Sequence, residues 1–147
     1  MTAAQPTIED RLVEEIERAR IYNDRYVLVE SLPYYAQMIP NDRTIYGEVV
    51  SNNYLAGTHR LSPEQESRLM DLGWSPPGTR CHPDCRSDHH PNYSTTWPST
   101  TLSKHIALEM LRGLTVAMAK AGEGAAPMLV RSDVRAFAPT HGWAPAH

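Results

Sequence analysis

Between residues 26 and 50 the side chains follow a period of two, and the breaks between the alternating runs are too short to hold a helix. The runs are Tyr26-Val27-Leu28-Val29-Glu30, Tyr34-Tyr35-Ala36-Gln37-Met38-Ile39 and Thr44-Ile45-Tyr46-Gly47-Glu48-Val49-Val50, rich in the β-branched and aromatic residues that strands favour. Pro33 separates the first pair and Pro40-Asn41-Asp42-Arg43 the second; both are turn chemistry. Parallel strands need a crossover of about a dozen residues or more, so connections this short dictate antiparallel neighbours. The expectation is an α+β fold: an antiparallel sheet of three strands or more, with helices to cover a face.

Helical periodicity supplies the cover on both sides of the meander. Thr7 is placed to cap a helix starting at Ile8, with Glu9 and Asp10 at the positive end of its dipole. Ile8, Leu12, Ile16 and Ala19, widened by Val13, form its apolar stripe. Ser62-Pro63-Glu64-Gln65 reads as a capping box with proline at the first helical position, Leu69 and Leu72 share a face, and Gly73 fits a left-handed stop from which Trp74 folds back onto Leu69. Leu102, Ile106, Met110, Leu114 and Ala117, broadened by Ala107, Leu111 and Met118, predict the longest stripe, capped at Ser99 or Thr101 and stopped at Gly122. Between Trp74 and Trp97 the sequence suggests a long loop with one short extended piece at most. After Lys120 the composition turns to glycine, alanine and proline, with Met128-Leu129-Val130 and Phe137 as its only anchors. The expected division is therefore a domain over 1–120 and a flexible tail over 121–147.

A chain of 147 residues that is 41% hydrophobic can close one core without cross-links. Its 14 Lys+Arg against 17 Asp+Glu give a net charge of −3, so no overall field draws it to nucleic acid or to an anionic membrane. The start Met1-Thr2-Ala3-Ala4-Gln5-Pro6 lacks a basic and apolar leader, and no later stretch approaches a membrane span, from which a cytoplasmic location is expected. Lys104 and Lys120 are the only lysines among the basic residues; that arginine bias, with frequent alanine and proline, is associated with GC-rich bacteria and their phages.

Several local words then point to a family. Glu48-Val49-Val50-Ser51-Asn52-Asn53-Tyr54-Leu55, Leu61-Ser62-Pro63-Glu64-Gln65-Glu66-Ser67-Arg68-Leu69, Leu72-Gly73-Trp74-Ser75-Pro76-Pro77, and Pro91-Asn92-Tyr93 before Trp97 resemble the TY-Chap group of chaperone-like proteins, widespread in actinobacteria and related to YbjN and to type III secretion chaperones. The resemblance spans roughly Asp24 to Lys120. It implies the secretion-chaperone fold, a curved antiparallel sheet flanked by helices, a partner that is a protein or peptide segment, and a homodimer by analogy. Asn52 and Asn53, leaving a strand, read as turn makers.

Candidate partner-contacting residues follow from both readings. Tyr34, Tyr35 and Tyr46, with Tyr54, give the sheet an aromatic excess suited to a binding face, although ordinary strand packing with hydroxyls at the rim is the favoured account of them. Alternation places Tyr34 and Tyr35 on opposite faces. Ile106, Met110 and Leu114 are either core or an exposed interface along the last helix.

The segment Cys81-His82-Pro83-Asp84-Cys85-Arg86-Ser87-Asp88-His89-His90 carries a second possibility. Zinc takes four ligands of this type, and Cys81, Cys85, His89 and His90, or His82 in place of the last, could supply them. All lie in one run, however, instead of two ligand pairs separated by structure, and a solvated polar loop accounts for the same residues. The alternative function is thus a zinc-binding regulatory domain, contacting nucleic acid through Arg80 and Arg86; otherwise no cofactor is expected. No phosphate-cradling loop, nucleophile elbow or dinucleotide fingerprint is present, and a non-enzymatic polypeptide-binding protein is the leading expectation.

Overall fold

The computed structural model describes residues 5–41, 43–78, 91–119 and 128–134. In chain order these form α1 (Ile8–Tyr22), β1 (Arg25–Ser31), β2 (Tyr34–Pro40), β3 (Thr44–Val49), a 3-10 turn (Gly57–His59), α2 (Pro63–Asp71), β4 (Tyr93–Pro98), α3 (Ser103–Ala117) and β5 (Leu129–Val134). The strands make an antiparallel sheet in the order β4-β3-β2-β1-β5. The α+β architecture with a helix-flanked antiparallel sheet is as expected, and the meander is its centre.

Register divides the sheet into two faces. One carries the rows Ser132-Val27-Met38-Gly47-Thr95 and Val130-Val29-Ala36-Val49-Tyr93 across all five strands. All three helices lie on this side: Ser132 donates to Glu15 of α1, Tyr93 donates to Glu66 of α2, and Trp97 donates to Glu109 of α3. Leu12, Ile16 and Ala19 of α1 and Ile106, Ala107, Met110 and Leu114 of α3 join the valines of this face in one buried cluster. Each such large aliphatic contributes about 1.5–3 kcal/mol by burial. At the crossing of α3 with the sheet, Gly113 lies so near Val49 and Trp74 that a Cβ there would stand 2.7 Å from Val49 Cγ2. Trp74 meets Trp97 edge-on, centroids 6.0 Å apart.

The helix ends show local sequence at work. Thr7 and Ser62 each close a full capping box, with Asp10 and Gln65 respectively. Gly73 takes φ +102°, and the N–H groups of Gly73 and Trp74 return to Met70 and Leu69 carbonyls, the double bond of a Schellman stop. The Trp74 ring itself goes to Trp97 and Gly113.

Three expectations need correction. α3 begins at Ser103 behind Leu102, with no side-chain cap. Arg20 of α1 instead gathers this turn, donating to Ser99 O (2.6 Å), Thr101 O (2.6 Å) and Ser103 Oγ (2.9 Å). The segment preceding Trp97 contributes a full strand, β4, held to β3 over six residue pairs. Within the stretch expected to be a flexible tail, Leu129–Val134 is edge strand β5, paired with β1 from Arg25 to Glu30. Backbone pairing drives it: its side chains alternate between partly buried and exposed, so composition alone gave little sign of order. The α3 stop expected at Gly122 falls outside the described residues, as do Lys120 and Phe137.

Candidate functional site: the sheet face away from the helices

On the second face one row runs Arg131-Leu28-Gln37-Glu48-Ser94, flanked by Leu129-Glu30-Tyr35 and Ile39-Tyr46-Thr96. The face is strongly polar, yet Gln37, Glu48 and Ser94 are all within 1% of complete burial. Two features share it, an apolar groove at one end and a buried polar cluster at its centre.

The groove, about 900 Å³ in volume, has Leu28 and Tyr35 as its floor. Leu32 and Pro33, at the β1–β2 turn, form one side; Tyr54, Leu55, Ala56 and His59 form the other. Glu30 of β1 and Arg131 of β5, 3.5 Å apart, stand at the edge. Leu32 is 70% exposed and Tyr54 40%, so the apolar lining reaches solvent.

Side-chain hydrogen bonds between separate segments hold the far wall. Asn52 copies a backbone partner, accepting from Leu61 N (2.6 Å) and donating to Leu61 O (3.1 Å), while Asn53 donates to Pro91 O (2.9 Å). The asparagines thus satisfy backbone groups where the chain leaves β3, but by tying distant loops together. Asn92, just ahead of β4, accepts from Ser51 N (3.0 Å) and donates to the Tyr35 hydroxyl (3.1 Å), tying wall to floor.

In the polar cluster Gln37 and Glu48 face each other across β2 and β3, Gln37 Nε2 donating to Glu48 Oε2 at 3.1 Å. Burial pushes the Glu48 carboxyl up to about 8, against the opposing pull of the Asn92 and Gln37 amides. Burial likewise raises Tyr35 and Tyr46, and the Glu48 charge adds to both. No signal beyond register could have exposed this pair: residues 37 and 48 each stand three positions from the Pro40–Ile45 pair, so the hairpin brings them together.

The sequence-nominated contacts divide accordingly. Tyr34, Tyr35, Tyr46, Ile106, Met110 and Leu114 are all buried, none more than 5% exposed. Tyr34 and Tyr35 do occupy opposite faces: Tyr34 donates to His59 O (3.0 Å), whereas Tyr35 reaches the groove. Tyr46 joins the polar cluster, and Ile106, Met110 and Leu114 are core between α3 and the sheet. Leu32 and Tyr54, over the buried floor residue Leu28, are the accessible apolar groups that strand and turn patterning did not single out together. Cys81, Cys85, His89 and His90, with His82, Arg80 and Arg86, lie outside the described residues. Among the described residues no group of three or more His, Cys, Asp or Glu side chains is arranged to hold a metal, and no helix is long and apolar enough to cross a membrane.

A five-stranded sheet with helices on one face and a walled apolar groove on the other defines a single-sheet α+β module of the secretion-chaperone kind. Residues 7–131 match the family described as T3SS (YopN, CesT) and YbjN peptide-binding chaperone 3, TY-Chap3, and the chain belongs to it. No curated protein and no solved structure matched the chain.

Proposed function

We propose that this chain is a non-enzymatic, chaperone-like or adaptor protein that holds an apolar segment of another polypeptide in the groove over Leu28 and Tyr35. The carrying observation is the groove itself, whose apolar walls at Leu32 and Tyr54 remain solvent-exposed in a member of a family described as peptide-binding. Apolar floor, aromatic rim and one edge ion pair suit side chains of an extended segment, with area supplied by tyrosine at low entropic cost. The pre-fixed asparagine wall reduces the ordering that binding requires.

The test uses a fluorescent, permanently unfolded polypeptide, reduced and carboxymethylated α-lactalbumin, read by anisotropy. Leu32→Asp and Tyr54→Ala change groups that reach solvent and lie outside the buried cluster, so both variants should fold. Each should weaken probe binding roughly tenfold or more, because a buried charge or a lost aromatic anchor costs about 1.5–3 kcal/mol. Wild-type affinity in both folded variants would refute the groove as the binding site.

A further inference from the structure

The Gln37–Glu48 pair has a hydrogen-bonding deficit. Both side chains are completely buried, one bond joins them, and Gln37 Oε1 and Glu48 Oε1 have no partner among the described residues. An ionised carboxylate can only accept, and so can the amide oxygen. Two orphaned acceptors in one buried site are costly. A single proton removes the conflict, because a carboxylic acid has one donor to offer the amide oxygen while its other oxygen keeps the bond from Gln37 Nε2.

We propose that Glu48 is protonated in the folded chain, its hydroxyl donating from Oε1 to Gln37 Oε1, and that loss of this proton is a pH-sensitive switch on the sheet face beside the groove. The neighbours support a neutral acid. Tyr35 from β2, Tyr46 from β3 and Tyr54 from the following loop are the titratable groups coupled to Glu48 among the described residues. Burial raises all three, leaving them uncharged at neutral pH. Asn92 and Ser94 are neutral, and Leu28 is the apolar neighbour of Gln37 in the row. Burial that lifts the carboxyl to about 8 agrees with this assignment. Asn92 also bonds Tyr35 on the groove floor, so ionisation of Glu48 disturbs the support of that floor. The assignment stands whether or not the groove binds polypeptide.

The sign follows from linkage. The folded pKa lies above the ordinary glutamate value of 4.5, so between about 4.5 and 8 the folded state holds a proton that the unfolded chain has released. Stability from this group is present below that window and is lost as pH rises through it. Each pH unit inside the window should lower the folding equilibrium constant by up to about tenfold. Urea unfolding of wild type and Glu48→Gln at about pH 5, 6 and 7 isolates the group, since other titrations cancel in the difference. The amide variant supplies the missing donor permanently, so its stability relative to wild type should grow about a hundredfold from pH 5 to 7. Infrared spectra of the native wild type provide a reading independent of the variant's folding: a protonated-carboxyl band should persist at about pH 6 and disappear at alkaline pH. Parallel pH profiles for the two proteins, or no such band at about pH 6, would overturn the proposal.

Discussion

Gln65 joins two helix ends, and its replacement separates their contributions. Its backbone N–H and side-chain Oε1 complete the capping box with Ser62, while Nε2 crosses to α3 and donates to Val116 O (2.9 Å) and Ala117 O (3.3 Å). Val116 O also accepts from Ala119 N (3.2 Å), so Gln65→Leu chiefly strands the Ala117 carbonyl and the partly buried Ser62 N–H. A stranded buried group costs about 1–3 kcal/mol, the lower end applying to Ser62; the added apolar burial returns somewhat less than 1 kcal/mol. The expected loss is about 2–3 kcal/mol, a fall in Tm of roughly 5–10 °C for a chain of this size. Gln65→Glu is the sharper probe. It keeps an acceptor for Ser62 N–H but cannot donate to the α3 carbonyls, and it sets negative charge at the negative end of that helix. Urea unfolding followed by tryptophan fluorescence, helped by buried Trp74 and Trp97, reads both variants. Wild-type stability in Gln65→Glu would show that the link to α3 contributes nothing and that capping alone explains the residue.

Two further perturbations test the frame. A Cβ at Gly47 would run into the Trp97 ring, which is pinned against Trp74 and by its bond to Glu109; Gly47→Ala should therefore cost about 1–3 kcal/mol in chemical denaturation, and a neutral result would mean the ring relocates freely. Arg20→Ala removes the three bonds that order the entry to α3; a loss of about 1.5–3 kcal/mol should appear with faster amide exchange at residues 102–106, and unchanged exchange there would assign the order to something else.

Where a residue's role is set within a few positions, the sequence was readable. Thr7, the Ser62–Gln65 box, the Gly73 stop and the alternation of the central strands each express a local rule. The apolar stripe of α3 likewise announced a buried face without saying what covers it. What depends on distant backbone was not readable in the same way. β5 has a weak pattern because it needs only β1's open edge, and Arg20 displaces the expected serine or threonine cap from another helix entirely. The groove draws on β1, β2, β5, a turn and the loop after β3, so no single stretch of sequence carries its signature. No local rule marks Glu48, and its burial became visible only with the folded sheet.

The pairing of β1 with β5 has a consequence for how the protein is made. Val27 and Ser132 face each other across the ladder, so synthesis from the amino end releases β1 about a hundred residues before its outer neighbour exists. Through that interval β1 offers a row of unsatisfied amides and carbonyls, a template for any extended chain nearby. A ribosome that stops before residue 129 therefore leaves an incomplete sheet inclined to pair with other nascent chains. Among the described strands, the one that closes this edge is the last to leave the ribosome.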